Sequence, residues 1–154
     1  MESFSKILVS IDGSADSKKA ADYALSLSKK YGSGVILLHV LTEKISYEYD
    51  RNLDNTELSN SVKENILEKH IQEAESWFNV TKQSISQDNN ININTKIIIK
   101  EKSIAEDIIN YAEKNSIDLI VLGTRGRTGL KKTLLGSIAS SVVTHAHCPV
   151  LIIR

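Results

Sequence analysis

Four glycines fall within the fourteen residues from Gly123 to Gly136, in the segment GTRGRTGLKKTLLGS, and Arg125, Arg127, Lys131 and Lys132 stand among them. Glycine carries no Cβ, so its amide can come close to an anion and its backbone can take positive φ. A helix that starts just after such a loop offers unpaired N–H groups and the positive end of its dipole. Phosphate suits that combination. The alternative is that the glycines only shape a long turn. The segment is not a Walker A loop, since no register gives Gly, four residues and then Gly-Lys-Ser/Thr. Asp12-Gly13-Ser14-Ala15-Asp16-Ser17, after the first apolar run, also lacks the G-x-G-x-x-G dinucleotide fingerprint. A phosphate site in this chain is therefore expected late in the sequence.

Other reactive residues are sparse. Asp12 closes the first apolar run and has two possible roles, a carboxylate facing a ligand or the N-cap of the first helix. Ser137 is open in the same way, as a phosphate contact or a simple N-cap. His145 and His147 are close in sequence but lack the further ligands that zinc requires. Cys148 stands before Pro149 with no identifiable base, so it reads as a small core residue. His39 reads as a strand-end residue and His70 as a helix-surface one. An enzyme would need a base, a nucleophile or metal carboxylates beside the glycine loop. The strand ends supply Asp12 and little else, so at most very slow hydrolysis of a bound phosphate ligand is expected. The third apolar run ends Ile99-Lys100-Glu101, without an aspartate to accept phosphate.

These residues must be positioned by the elements around them. Five short apolar runs, KILVSID (6–12), GVILLHVL (34–41), INTKIIIK (93–100), DLIVLGT (118–124) and PVLIIR (149–154), are rich in β-branched residues. Most are continuous rather than alternating, as strands buried on both faces of a parallel sheet must be. Helical segments separate them. The first spans about Ser14 to Tyr31, with Ala20, Ala21, Ala24, Leu25 and Leu27 on one face and Gly32 as its stop. A second carries Val62, Ile66, His70, Ile71, Ala74, Trp77 and Phe78 as a stripe. A third opens on Ser103-Ile104-Ala105-Glu106, a capping box in which Ser103 and Glu106 satisfy each other's amides. The fourth begins near Gly136-Ser137 and carries Ile138, Val142 and Val143. Strand and helix in alternation predict parallel βαβ units with right-handed crossovers. Thr42 to about Asn60 is longer than a usual connection, so it is either a lid or locally disordered. Ser84 to Asn94 reads as a surface loop.

The chain has 154 residues, enough for one domain with a continuous core. Nineteen basic residues balance nineteen acidic ones, so no global field gathers nucleic acid or an anionic membrane, and an anion site must be local. The opening MESFSK lacks an apolar signal core, and no apolar run approaches the ~20 residues that span a bilayer. The single cysteine excludes an internal disulfide and fits a reducing compartment, so a cytoplasmic location is expected.

The spacing Gly123-x2-Gly126-x9-Gly136-Ser137 resembles the ATP-binding signature of the universal stress protein family. KILVSIDGS at the start, LLHV in the second run, DLIVLGTRGRTGL before the loop and HAHCPVLIIR at the end are similar to that family too, in order over residues 1–154. The resemblance implies a single doubly wound five-stranded parallel sheet, strand order 3-2-1-4-5, with helices on both faces. It also implies a ligand site where strands 1 and 4 diverge. Asp12 would lie near ribose and phosphates, and the backbone of Val40 would bond adenine. Gly123 and Gly126 would let the chain pass close to the ribose and phosphates. Gly136, Ser137 and Ile138 would bind phosphate through helix-terminal amides and the Ser137 hydroxyl. Arg125 stands where the family contacts nucleotide, with solvent as its other direction. Ser10 and Ile11 depart from the Pro or Ala and then Thr or Val frequent in nucleotide-binding members, which reshapes the adenine and ribose wall. A histidine such as His145 belongs at the end of the last helix. The implied ligand is ATP, or ADP or AMP, with Mg²⁺ carried by its phosphates and the nucleotide a state marker for stress regulation. A cyclic nucleotide, or a dimeric interaction module with no nucleotide, is the alternative. The last run, 149–154, would be an edge strand without a blunting charge before Arg154, and so a homodimer surface.

Overall fold

Successive residues of a strand face opposite sides of a sheet, so a strand covered on both sides must be apolar throughout. The computed structural model, which describes residues 3–42, 60–85, 90–125 and 134–154, bears this out. Its elements are β1 Lys6–Ser10, α1 Ala15–Tyr31, β2 Gly34–Leu41, α2 Asn60–Gln83, β3 Ile93–Ile99, α3 Ile104–Lys114, β4 Leu119–Gly123, α4 Ser137–His145 and β5 Val150–Ile153. The five strands form one parallel sheet in the order β3-β2-β1-β4-β5. Ile7, Val9, Val35, Leu37 and Val121 pack on one face against Ala20, Ala21 and Ala24 of α1 and Phe78 of α2. Leu8, Leu38, Ile120 and Leu122 pack on the other against Ile108 and Ala112 of α3 and Val142 of α4. The alanine stripe of α1 brings its backbone close to the sheet.

The two edge strands differ from this pattern. Each has a single neighbour and thinner helix cover, so several residues of β3 are exposed, Ile99 at the level of 54%. The segment 43–59 lies outside the described residues, and the question of a lid or disorder there lies with it.

Local signals set the helix ends. Ser14 is the N-cap of α1, its hydroxyl accepting from Ser17 N at 3.1 Å, and Gly32 takes the left-handed conformation at the C-cap. Ser103 caps α3, accepting from Glu106 N at 3.1 Å. The expected reciprocal bond differs in one atom, because Glu106 Oε2 accepts from the Ser103 hydroxyl at 3.1 Å, not from the Ser103 amide. At the lower edge of the sheet, the Asp118 carboxylate accepts from Ser5 N and Lys6 N, both at 2.8 Å, and ties the starts of β1 and β4 together.

Gly13 sits at φ +81°, and a Cβ there would lie 2.5 Å from Cζ2 of Trp77 on α2. The left-handed backbone and the indole exclude a side chain independently. Gly13→Ala should lower stability by about 2–4 kcal/mol, the sum of left-handed strain and overpacking. A urea unfolding curve with an unchanged midpoint would refute that account.

Candidate functional site

The upper ends of β1 and β4 lie side by side, since Val9 pairs with Val121, and β2 and β5 continue outward from them in opposite directions. This is the switch point at which ligands sit in open α/β sheets. Beyond β1 the chain stays close to β2, with Ile11 N donating to Leu38 O at 2.8 Å. Ser10 pairs with Leu38, and the register carries Val40 two residues further, level with Asp12. Ile11 and Val40 are buried in the two opposite faces of the core, so each has only its backbone to offer a ligand.

Asp12 is not the N-cap of α1. Its Oδ1 accepts from Ser14 N at 2.9 Å, and the cap is Ser14. The carboxylate therefore braces the turn from outside the helix. His39 approaches the same turn, with Nδ1 2.6 Å from Ile11 O and its ring edge-on to Trp77 at 5.2 Å. The expected strand-end histidine is thus part of the wall beside Asp12.

Beyond β4, Thr124 gathers three elements. Its N–H donates to Ile153 O at 2.9 Å, its carbonyl accepts from Gly136 N at 2.8 Å, and its hydroxyl donates to Asp16 Oδ2 at 2.9 Å. Arg125 Nε lies 3.4 Å from the same Asp16 oxygen, and Ser14 Oγ reaches Arg125 O at 3.5 Å. Thr124 and Gly136 close the neck of a loop whose residues 126–133, including Gly126, Arg127, Lys131 and Lys132, lie outside the described residues.

The glycines at the neck have reasons of their own. A Cβ on Gly123 would stand 2.7 Å from Asp16 Cβ, and one on Gly136 would stand 2.8 Å from Thr124 O. Both are close approaches of the chain to itself. Gly136 is the N-cap of α4, and its own amide is engaged by Thr124. The first intrahelical bond runs from Ser140 N to Gly136 O at 2.9 Å, so the N–H groups of Ser137 and Ile138 have no acceptor within the helix. Ser137 is exposed and lies at the first helical position rather than the cap.

The structure thus brings Ser10, Ile11, Asp12, Val40, Gly123, Arg125, Gly136, Ser137 and Ile138 to one edge of the sheet. Sequence reasoning missed Asp16 and Thr124. An acid in a first helical turn and a threonine after a strand carry no local signal that they will meet across 108 residues.

The remaining candidates lie elsewhere. His145 is in the last turn of α4, with Nδ1 3.0 Å from Ser141 O, while His147 Nε2 lies 3.1 Å from Ile117 O. Cys148 is half-buried at the lower edge, where burial, and then the nearby Asp118 carboxylate, push its thiol above the ordinary range. His70 lies on the surface of α2, 3.7 Å from Glu73. No helix among the described residues is long and apolar enough to cross a membrane.

Comparison with known proteins adds to this geometry. Residues 3–154 match the universal stress protein family. A universal stress protein of Methanocaldococcus jannaschii is 33% identical over 159 aligned positions, which cover 98% of this chain and 82% of its own. The solved universal stress protein of Lactobacillus plantarum superposes with a TM-score of 0.79 at 24% identity, covering 100% of both chains. Two other solved structures share the fold at lower identity. One is a universal stress protein in complex with cAMP (TM-score 0.62, 19% identical, covering 99% of this chain and 98% of its own). The other, from Archaeoglobus fulgidus, is in complex with dAMP (TM-score 0.61, 18% identical, covering 99% and 100%).

Thr124→Val keeps the side-chain shape and removes the donor to a buried carboxylate. It should cost about 1–3 kcal/mol, the range for leaving a buried charged acceptor short of a partner. Thr124→Ser should recover most of that loss. Equal thermal stability of the valine and serine variants would remove this bond from the account.

Proposed function

The chain belongs to the universal stress protein family, and on that premise we propose that it is a cytoplasmic regulatory protein that holds an adenine nucleotide, ATP or its di- or monophosphate. The observation that carries the reading is the neck closed at Thr124 beside the switch point, next to the first-turn amides of α4 that have no acceptor among the described residues. Phosphate is held by the N–H groups of Ser137 and Ile138, by the Ser137 hydroxyl and by Arg125. Adenine takes backbone bonds from Val40. Ribose lies beside Asp12, against a wall formed by Ser10 and Ile11. Gly123 and Gly136 shape the passage, and Gly126 completes it by sequence. The cAMP and dAMP bound to two relatives of the same fold support an adenine ligand. Mg²⁺ accompanies the phosphates. Fast phosphoryl transfer depends on a positioned base and further charge-stabilising groups. With Asp12 turned to the Ser14 amide, the nucleotide acts as a state marker rather than a substrate.

Ser137→Pro tests the phosphate contact with little effect on the fold. Proline is favoured at the first helical position, and Gly136 at φ −59° and ψ 154° already has the conformation required before proline. The variant loses an N–H and a hydroxyl aimed at phosphate. ATP affinity measured by calorimetry should fall about tenfold or more, the equivalent of one charge-assisted hydrogen bond, with the melting temperature unchanged. Unaltered affinity would place the phosphate elsewhere, and no ATP binding by the unmodified chain would favour an interaction module.

The same reading includes a homodimer through β5. Pro149 O and Ile153 O accept from Ile120 N of β4 and from Thr124 N just beyond it, so the alternate residues Val150 and Ile152 turn their backbone groups to the open edge. No lysine or bulge protects that edge before Arg154. Sedimentation at micromolar concentration should give about twice the 17.1 kDa chain mass. Ile152→Pro deletes an outward N–H without touching the bonds to β4 and should shift the protein to monomer. A monomeric unmodified protein would rule the dimer out.

A further inference from the structure

We propose that Asp16 is a positioning residue of the nucleotide site, one that holds the Arg125 guanidinium for the charged end of the ligand. The proposal rests on the nucleotide reading above and adds to it the residue that grades affinity by phosphate number.

Asp16 lies in the first turn of α1, only 8% exposed, although Ser14 already caps that helix. Its carboxylate is directed across to the end of β4. There one oxygen accepts from the Thr124 hydroxyl at 2.9 Å and lies 3.4 Å from Arg125 Nε. The approach depends on Gly123, where any Cβ would stand 2.7 Å from Asp16 Cβ. Arg125 is itself at the start of α4, since a Cβ on Gly136 would lie 3.9 Å from Arg125 Cα.

Guanidinium has five N–H donors in a rigid plane. Asp16 Oδ2 lies 3.4 Å from Nε, an ion pair that keeps the guanidinium beside the first turn of α1. Among the described residues the terminal Nη groups have no carboxylate partner, so their donors remain for an anion. The cation is thus held at the first turn of α1, while the Arg125 backbone runs beside Gly136, the N-cap of α4. An arginine in that place attracts a triphosphate more than a monophosphate and is indifferent to a nucleoside. Its benefit requires that it be held there before the ligand arrives, because ordering a long side chain on binding costs affinity.

The test is calorimetry of ATP, AMP and adenosine on four proteins: the unmodified chain, Asp16→Asn, Arg125→Gln and the double variant. Asp16→Asn should weaken ATP about fivefold, AMP less and adenosine not at all, and should have no further effect in the Arg125→Gln background, as coupled residues behave. A purely structural role would weaken all three ligands alike and persist without Arg125. Either of those results overturns the proposal, as does ATP binding that Asp16→Asn leaves unchanged. Should Asp16→Asn fail to fold, Arg125→Lys serves at a partly exposed position. Lysine keeps the charge but has no Nε to be held, so it should lose most of the preference for ATP over adenosine. Full retention of that preference overturns the proposal. An unmodified chain that binds no ATP overturns the nucleotide reading and this role with it.

Discussion

The fold converges on the peptide and hydroxyl of Thr124. Its N–H completes the ladder to the last residue of β5, its carbonyl fixes the N-cap of α4, and its hydroxyl meets the first turn of α1. A backbone group buried away from water must find a partner or cost more than an ordinary hydrogen bond contributes. Thr124 is 6% exposed, and all three of its polar groups are paired. The direction of the last helix, the end of the edge strand and the depth of α1 against the sheet are therefore set together. A loop leaving such a neck has fixed ends whatever its middle does, which is the condition a binding loop needs.

The central strands were legible because burial on both faces leaves little room for polar residues to disguise them. Leu8 and Val9 face opposite sides, and neither is accessible to water. Helix ends were legible where a cap acts within a few residues, as at Ser14, Gly32 and Ser103. Where the sequence left a reading open or incomplete, the reason is local competition or distance along the chain. Asp12 was open between cap and ligand because an acid two residues before the true cap satisfies the same amide-rich turn. Glu106 departs from the capping box because the Ser103 hydroxyl competes with its amide for the carboxylate. Asp16 could not be found at all, since its partners are remote in sequence and the contact depends on how close α1 lies to β4.

The glycine signature reads differently once the backbone is known. From spacing alone, Gly123 and Gly136 are places where a ligand comes near. In the structure each is first a place where the protein comes near itself, against Asp16 and against Thr124 O. These functions are compatible, because a tight neck is what brings the α4 amides to the switch point. Glycine spacing alone is thus a weaker sign of a ligand than the N–H groups of Ser137 and Ile138, which have no acceptor among the described residues.

The electrostatics of the site follow from the same arrangement. Among the described residues at this edge, Asp12 and Asp16 carry negative charge and Arg125 positive, so side-chain charge alone does not favour an anion there. The favourable field comes from backbone dipoles at the starts of α1 and α4, which act over about one helical turn. Asp16 lies buried in α1, its charge directed at Thr124 and Arg125, and Asp12 is turned onto the Ser14 amide. Each carboxylate is thereby matched to a donor, and the amides of α4 are left to act. Fixed dipoles can hold an anion without a large net charge, so nineteen charges of each sign are compatible with a local anion site.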